Sequence, residues 1–583
     1  GVARVVPELE EHWRAAEPRG RISGEVKVWR PQPDDPLFHD AWLSLDNVNI
    51  KLPVAPWRAT NLVGQVLVGG SGAKARIDFN ALRGRLENPK AKPAQLALLG
   101  HLGSGPDIAR NLVFVVRDLE LCEELGRSLS ELGALDITTW SSLKPSGRVD
   151  LVTRSLTDEE GAEELEVVVQ LVDVTSHAEM LPKPVEQLTG ELHIENGELT
   201  FRDLRGLLGK TKVTCLNGIV QQLPPADGRT EISFDVHANN FPVDDGLANL
   251  FSGPLREAVR QRKLRGNVDI IGLSLKFSVP TADSSQPFTT QIGGDITLRG
   301  VDVLLGAGRD GIRIDDLQGD LTLSPSTVSD TGGELSGALT RGALSLFGHS
   351  FSSLAVDFRA DATQLAIGKL TSRVAEGELF HTDKDSNAVT YLLPAANAPD
   401  GRLAARFDFI GVDVFSLLTD VGWENPPYSG TARGSVNLAR LDGSTMIGAE
   451  ADGNLIIERA DLGKVPLFKA IYAQLPAADQ PRFNFLDVAF RLTRDAINFN
   501  KLIVRSDILG AEGDGKLLLD GYLDVEMKLR NLLGQSADPL LMPLLEYLAQ
   551  NLVTWRLYGH LRDLRAGTEF VGERTPTRPQ VLP

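Results

Sequence analysis

Metal or acid–base chemistry in this chain would have to draw on nine histidines, at His12, His39, His101, His177, His193, His237, His349, His381 and His560. A metal site on one helix or hairpin needs ligands a turn apart or in a tight cluster, and no H-x-x-x-H pair or cluster occurs among them. His193 and His237 fall on polar positions of alternating segments and read as solvated side chains. Cys122, in a segment with helical spacing, and Cys215, in an alternating one, read as small buried hydrophobes rather than nucleophiles. Two cysteines in 583 residues exclude a disulfide scaffold. There is no Gly-x-Ser-x-Gly elbow, Walker loop or strand-linked Gly-x-Gly-x-x-Gly. The carboxylates Asp158-Glu159-Glu160 with Glu163 and Glu164, and the pair Asp315-Asp316, lack the odd spacing and glycine bend of a calcium loop. The acidic run reads as a solvated turn. The expectation is a protein without catalysis, bound metal or cofactor.

The elements that would position any site are strands. Leu165, Val167, Val169 and Leu171 alternate with other residues, as do Ile232, Phe234, Val236 and Ala238, and then Ile271, Leu273, Leu275, Phe277 and Val279. The same period returns at Leu354, Val356, Phe358 and Ala360, at Leu403, Ala405, Phe407 and Phe409, and at Leu523, Val525, Met527 and Leu529. Period-2 patterning with one apolar face is what an antiparallel sheet requires. Asn196-Gly197 between two such segments is a hairpin signal. Helical spacing is expected over 117–132, 412–420, 464–474 and 541–553, and after Asp244 or Asp245 as N-cap.

Two markers repeat along the chain. Gly-x-Val-x-apolar starts at Gly24, Gly147, Gly266 and Gly434; Leu-x-Gly-x-apolar places Gly64, Gly190 and Gly319 some 40 to 53 residues later in three of the four units. The fourth unit has Leu486-Asp487-Val488 there, without the glycine. Repeats are expected at 1–112, 113–243, 244–410 and 411–583, each a helix followed by a meander of strands. The predicted fold class is therefore mainly β: an extended, twisted antiparallel sheet with a few short helices. Hydrophobic residues make up 42% and charged residues 24%, an ordinary globular balance. The net charge of −18 argues against nucleic acid as a partner. No apolar run reaches the length of a membrane-spanning helix, and the segment around Pro7 to Trp13 has no signal-peptide pattern. A membrane anchor is expected to precede Gly1.

The last third resembles the C-terminal region of the AsmA-like family, relatives of TamB and YhdP. The resemblance rests on Gly453-Asn454-Leu455-Ile456-Ile457-Glu458-Arg459-Ala460-Asp461-Leu462-Gly463, followed by Val465-Pro466-Leu467-Phe468-Lys469-Ala470-Ile471. It continues through Asn484 to Phe490, Ile497 to Leu502, Ser506 to Gly515, and the alternating strand from Tyr522 to Leu529, closing near Gly559. Residues 430–563 carry it well; earlier it rests only on the two repeated markers. The resemblance implies a long curved β-groove anchored at the inner membrane and projecting into the periplasm, with phospholipid acyl chains as ligand. Its expected apolar lining is Ile271, Leu273, Leu275, Phe277, Leu403, Phe407, Phe409, Leu523, Val525, Met527 and Leu529. The alternation itself leaves open a plain sandwich core. A scaffold for outer-membrane proteins, binding partners by strand addition at a sheet edge, is the second function expected.

Overall fold

The computed structural model describes residues 14–569, apart from short connecting segments and the longer stretches 245–255, 281–287, 394–400, 470–481 and 532–553. Among the described residues strands account for 77% and helices for 6%, and thirty strands form one antiparallel sheet. The alternating segments named above all fall inside strands, for example Glu163–Ser176, Arg402–Asp413 and Tyr522–Asn531. The strands flanking Asn196-Gly197, Val185–Glu195 and Glu198–Leu208, pair from Glu195 opposite Glu198, as a two-residue hairpin requires.

Three helices are described. Val414–Asp420 starts where expected, because the Asp413 carboxylate accepts from the Ser416 backbone N–H and caps it. The helix expected over 117–132 starts later: strand Asn111–Leu121 runs to Leu121, and the helices are Glu123–Glu131 and Ile137–Leu143. Ladder pairing of Leu119, Glu120 and Leu121 with Val149, Arg148 and Gly147 outweighs their helical spacing. Cys122 accordingly precedes the helix instead of lying in it. The segments 464–474 and 541–553 and the one after Asp244 lie wholly or mostly outside the described residues.

The chain forms two compact units, one of residues 1–241, 249–252 and 269–294, the other of residues 242–248, 253–268 and 295–583. In the first, strands from Arg19–Trp29 to Arg229–Val243 pair each with the next along the chain. Its core gathers Val48, Trp57, Leu62, Leu96, Val116 and Val149. The helix Glu123–Glu131 is fastened to it where Trp57 Nε1 donates to Ser128 Oγ at 3.0 Å. In the second unit, strands from Ile312–Ser329 to Asp563–Glu569 pair in the same meander, and the largest cluster gathers Phe483, Val525, Met527, Trp555 and Leu557.

Many strands carry a bulge of one kind. Asn47, Asn61, Ala81, Asp118, Asp203, Asp316, Arg341 and Ser353 take left-handed backbone angles, φ +50 to +58°, where the ladder register slips. A bulge leaves one residue's N–H out of the ladder and increases local twist. Here a neighbouring strand supplies the acceptor. Asn49 Oδ1 takes the Asn61 N–H at 2.9 Å, Asp150 Oδ1 that of Asp118 at 2.8 Å, Asp269 Oδ1 that of Asn240 at 2.7 Å, and Asp302 Oδ1 that of Asp316 at 3.0 Å. Each acceptor follows a buried valine, Val48, Val149, Val268 or Val301. The Gly-x-Val marker owes part of its pattern to this device. Gly147 lies at φ +120°, and a Cβ there would sit 2.1 Å from the Asp173 carbonyl. Only glycine tolerates that approach. The Asp315-Asp316 pair is one of these bulges, with Asp315 held by Arg313 Nε at 2.5 Å.

Candidate functional site

Direct partners across antiparallel strands project to the same side, so the registers trace lateral rows over the sheet. In the first unit one row runs Gly84, Leu96, Val116, Leu151, Val169, Leu192, Phe201, Gly218, Phe234, crossing nine strands without a polar side chain. In the second unit a row runs Phe407, Val436, Gly453, Phe490, Phe499, Gly515, Val525, Leu557. A parallel row runs Phe409, Gly434, Leu455, Val488, Leu502, Gly513, Met527, Trp555. A third links Ala405 to Leu523 through Leu438, Ala451, Leu492, Ile497 and Leu517.

One residue away, the row on the opposite face reads Arg406, Asn437, Asp452, Arg491, Asn498, Lys516, Asp524, Tyr558, Arg565. Along these strands of the second unit, the apolar rows lie on one face and this polar row on the other. At several glycines an aromatic register partner lies across the gap. A Cβ at Gly218 would meet Phe201 at 1.9 Å, and the same pairing joins Gly337 to Phe358, Gly434 to Phe409 and Gly453 to Phe490. The rings cover backbone that glycine leaves bare.

Cover over this face varies along it. In the first unit Val116 is wholly buried, against the neighbourhood of helix Glu123–Glu131, whereas Phe201 and Phe234 are half-buried. Phe201, Phe234, Phe277 and Phe288 form a ladder with ring centroids 6.3, 5.7 and 6.1 Å apart. In the second unit Phe407, Phe409, Phe490 and Phe499 are half-buried, but Leu523, Val525 and Met527 are 8, 2 and 2% exposed.

Ten of the eleven expected lining residues have described side chains. The registers bring Phe407, Phe409, Leu523, Val525 and Met527 onto one face, though five strands lie between the two segments. Leu403 shares it through the row Leu335, Ala360, Leu365, Tyr391, Leu403, Leu441. Val525 and Met527 are enclosed by protein, so an open surface at this strand is not what the fold provides. Leu273 and Leu275 are buried and Phe277 joins the ladder, but Ile271 is 56% exposed and does not share their face. Burial in strand Arg265–Pro280 switches from Val268 and Ile270 to Leu273 and Leu275, so the period breaks beside Gly272. Leu529 is the register partner of Ala511; its side chain lies outside the described residues.

The polar groups suited to chemistry are held by neighbours. His193, expected to be solvated, is half-buried and contacts Glu191 through Nε2. Burial pushes the Cys215 thiol up to about 11, and its Sγ donates to the Asn217 carbonyl at 3.4 Å. A thiol so raised is not a ready nucleophile. The acidic run at 158–160 lies outside the described residues. Sequence spacing gave no warning of a polar pocket lined by Lys369, His381, Asp383, Ser386 and Asn387. Ser386 Oγ donates to Asp383 Oδ2 at 2.7 Å, and His381 Nε2 stands 3.3 Å from the same hydroxyl. The carboxylate thus holds the serine and not the histidine, an order that does not activate a nucleophile. Among the described residues, no three His, Cys, Asp or Glu side chains converge as a metal would require, and no helix is long and apolar enough to cross a membrane.

No family model, curated protein or solved structure matches the chain. The arrangement therefore stands on its own geometry: an antiparallel sheet with rows that stay apolar across many strands within each unit and carry half-buried aromatic residues.

Proposed function

We propose that this protein carries the acyl chains of phospholipids on its apolar sheet face, as a lipid-transport component of a cell envelope working between inner and outer membranes. The observation that supports it is the uninterrupted apolar row from Gly84 to Phe234, closed at Val116 and half-open at its phenylalanines. An acyl chain laid on such a face gains about 0.8 kcal/mol per buried methylene, and a row crossing nine strands offers room for many. The AsmA-like resemblance points the same way: its repeated helix-plus-meander groove, periplasmic location and inner-membrane anchor belong to this proposal. Native mass spectrometry of the full chain, with lipid extraction, tests it. Wild type should release phospholipid, and Phe234→Asp should stay folded by circular dichroism while carrying less. A folded variant with an unchanged lipid load would end the proposal at this row.

A second reading, a scaffold for envelope proteins, draws on the strand Arg19–Trp29. It pairs on one side with Phe38–Lys51 and is exposed over most of its length, including Val26 and Val28. An edge of that kind accepts an added strand. Proline substitutions along it would abolish partner binding on the scaffold reading and leave lipid load untouched on the first.

A further inference from the structure

The second unit contains a cation for which the described residues supply no counter-charge. Arg262 Nη1 is buried without a hydrogen-bond partner, and no described carboxylate pairs with the side chain. Its guanidinium carbon lies 5.7 Å from the centre of the Tyr391 ring, and its backbone carbonyl accepts from the Leu304 N–H at 3.0 Å. Burial pulls the arginine pKa down, with the Tyr391 phenol opposing. Tyr391 is 1% exposed within a cluster containing Leu305, Ile312, Leu441 and Leu492. It also stands in the apolar row between Leu365 and Leu403.

Ring contact alone is a weak partner for a desolvated cation, and arginine stays charged at neutral pH. Buried charges in folded proteins are paired, so the unfilled Nη1 calls for an acceptor from outside the chain. Guanidinium favours planar oxyanions, phosphate above all, through charge-assisted hydrogen bonds. A solvated surface anion gains little from a half-buried site ringed by leucines. An amphiphile gains twice, placing its charge on Arg262 and its tail along Leu365 and Leu403, the half-buried residues on either side of Tyr391 in that row.

We propose that Arg262, backed by the Tyr391 ring, binds the phosphate of an anionic amphiphile whose tail lies on the adjoining apolar row. This rests on the acyl-carrier reading above and adds the place and chemistry of the headgroup.

Titration calorimetry on the full chain, with three soluble probes, tests it: dihexanoyl phosphatidylglycerol, the uncharged dihexanoylglycerol with the same tails, and glycerol phosphate with the charge but no tails. Wild type should bind the anionic lipid about tenfold more tightly than the uncharged one, the yield of one charge-assisted contact. Arg262→Met, which keeps the packed stem, should erase that difference and leave binding of the uncharged lipid unchanged; Arg262→Gln repeats the test if the methionine variant does not fold. Equal affinity for the two lipids in wild type, unaffected by either substitution, would overturn the headgroup site and spare the apolar face. Glycerol phosphate binding that depends on Arg262, with neither lipid bound more tightly, would uphold the anion site for a soluble phosphate and remove the acyl-carrier reading. No binding of any probe would overturn both.

Discussion

At the scale of single residues, burial decides what a substitution does. Val525 faces Leu557 and Gly515 across its neighbours and is packed in the cluster of Met527, Trp555 and Phe483. A carboxylate placed there has no water and no cation, so Val525→Asp should lose more than about 3 kcal/mol in urea unfolding. An unchanged midpoint would mean that this stretch of the face is open after all. On the polar face, Asp524 holds Arg556 with two hydrogen bonds, 2.7 and 2.9 Å. Those bonds keep its carboxyl below the ordinary range, against the opposing pull of desolvation. A carboxyl with a depressed folded-state pKa stabilises the fold above its unfolded value, near 3.9, and that support disappears as pH falls through the folded value. Asp524→Asn should therefore cost about 1 kcal/mol at pH 7 and make stability less sensitive to acid below about pH 4. Parallel pH–melting curves for the two proteins would refute the assignment.

At the scale of elements, the bulges explain sequence features that alternation leaves unexplained. Alternation locates Val149 on a buried face, but it gives no reason for the aspartate that follows. Asp150 is there because the Asp118 N–H has left the ladder. Asp150→Ala should lose about 1 kcal/mol, since water can partly replace the acceptor at this exposed site. Asp150→Asn should restore most of the loss, because Asn49 performs the same task for Asn61 through its amide oxygen. Equal loss in both variants would show that charge, through the nearby Arg148–Asp118 pair, matters more than the bulge contact. At Gly147 and Gly266 the Gly-x-Val marker coincides with a contact between strands, made by the aspartate that follows the valine.

At the scale of the whole molecule, the apolar face is a property of register and not of any one strand. Along the first-unit row, cover falls from wholly buried Val116 to half-buried Phe234, so stability and ligand capacity should separate along it. Val116→Ala should cost about 2 kcal/mol by leaving a cavity while apolar dye binding stays near wild type. Phe234→Ala should cost less stability and reduce dye binding more, as read by thermal melts and fluorescence titration. A reversed ranking would place the open part of the row at its Val116 end.

Local pattern was enough for the strands, their amphipathic alternation, the hairpin around Asn196-Gly197 and the capped helix after Asp413, because each is written in residues a few positions apart. It did not determine which residues stand side by side. Lateral rows depend on register between strands, and a break in period shifts the phase of the face, as Ile271 shows beside Leu273. Enclosure of Val525 and Met527 depends on Phe483 and Trp555, which approach from distant parts of the chain. Arg262 meets the ring of Tyr391, 129 positions further on, only through the tertiary fold. Local pattern fixes which side of a strand is apolar; only the pairing of strands makes those sides into one surface and decides where it is covered.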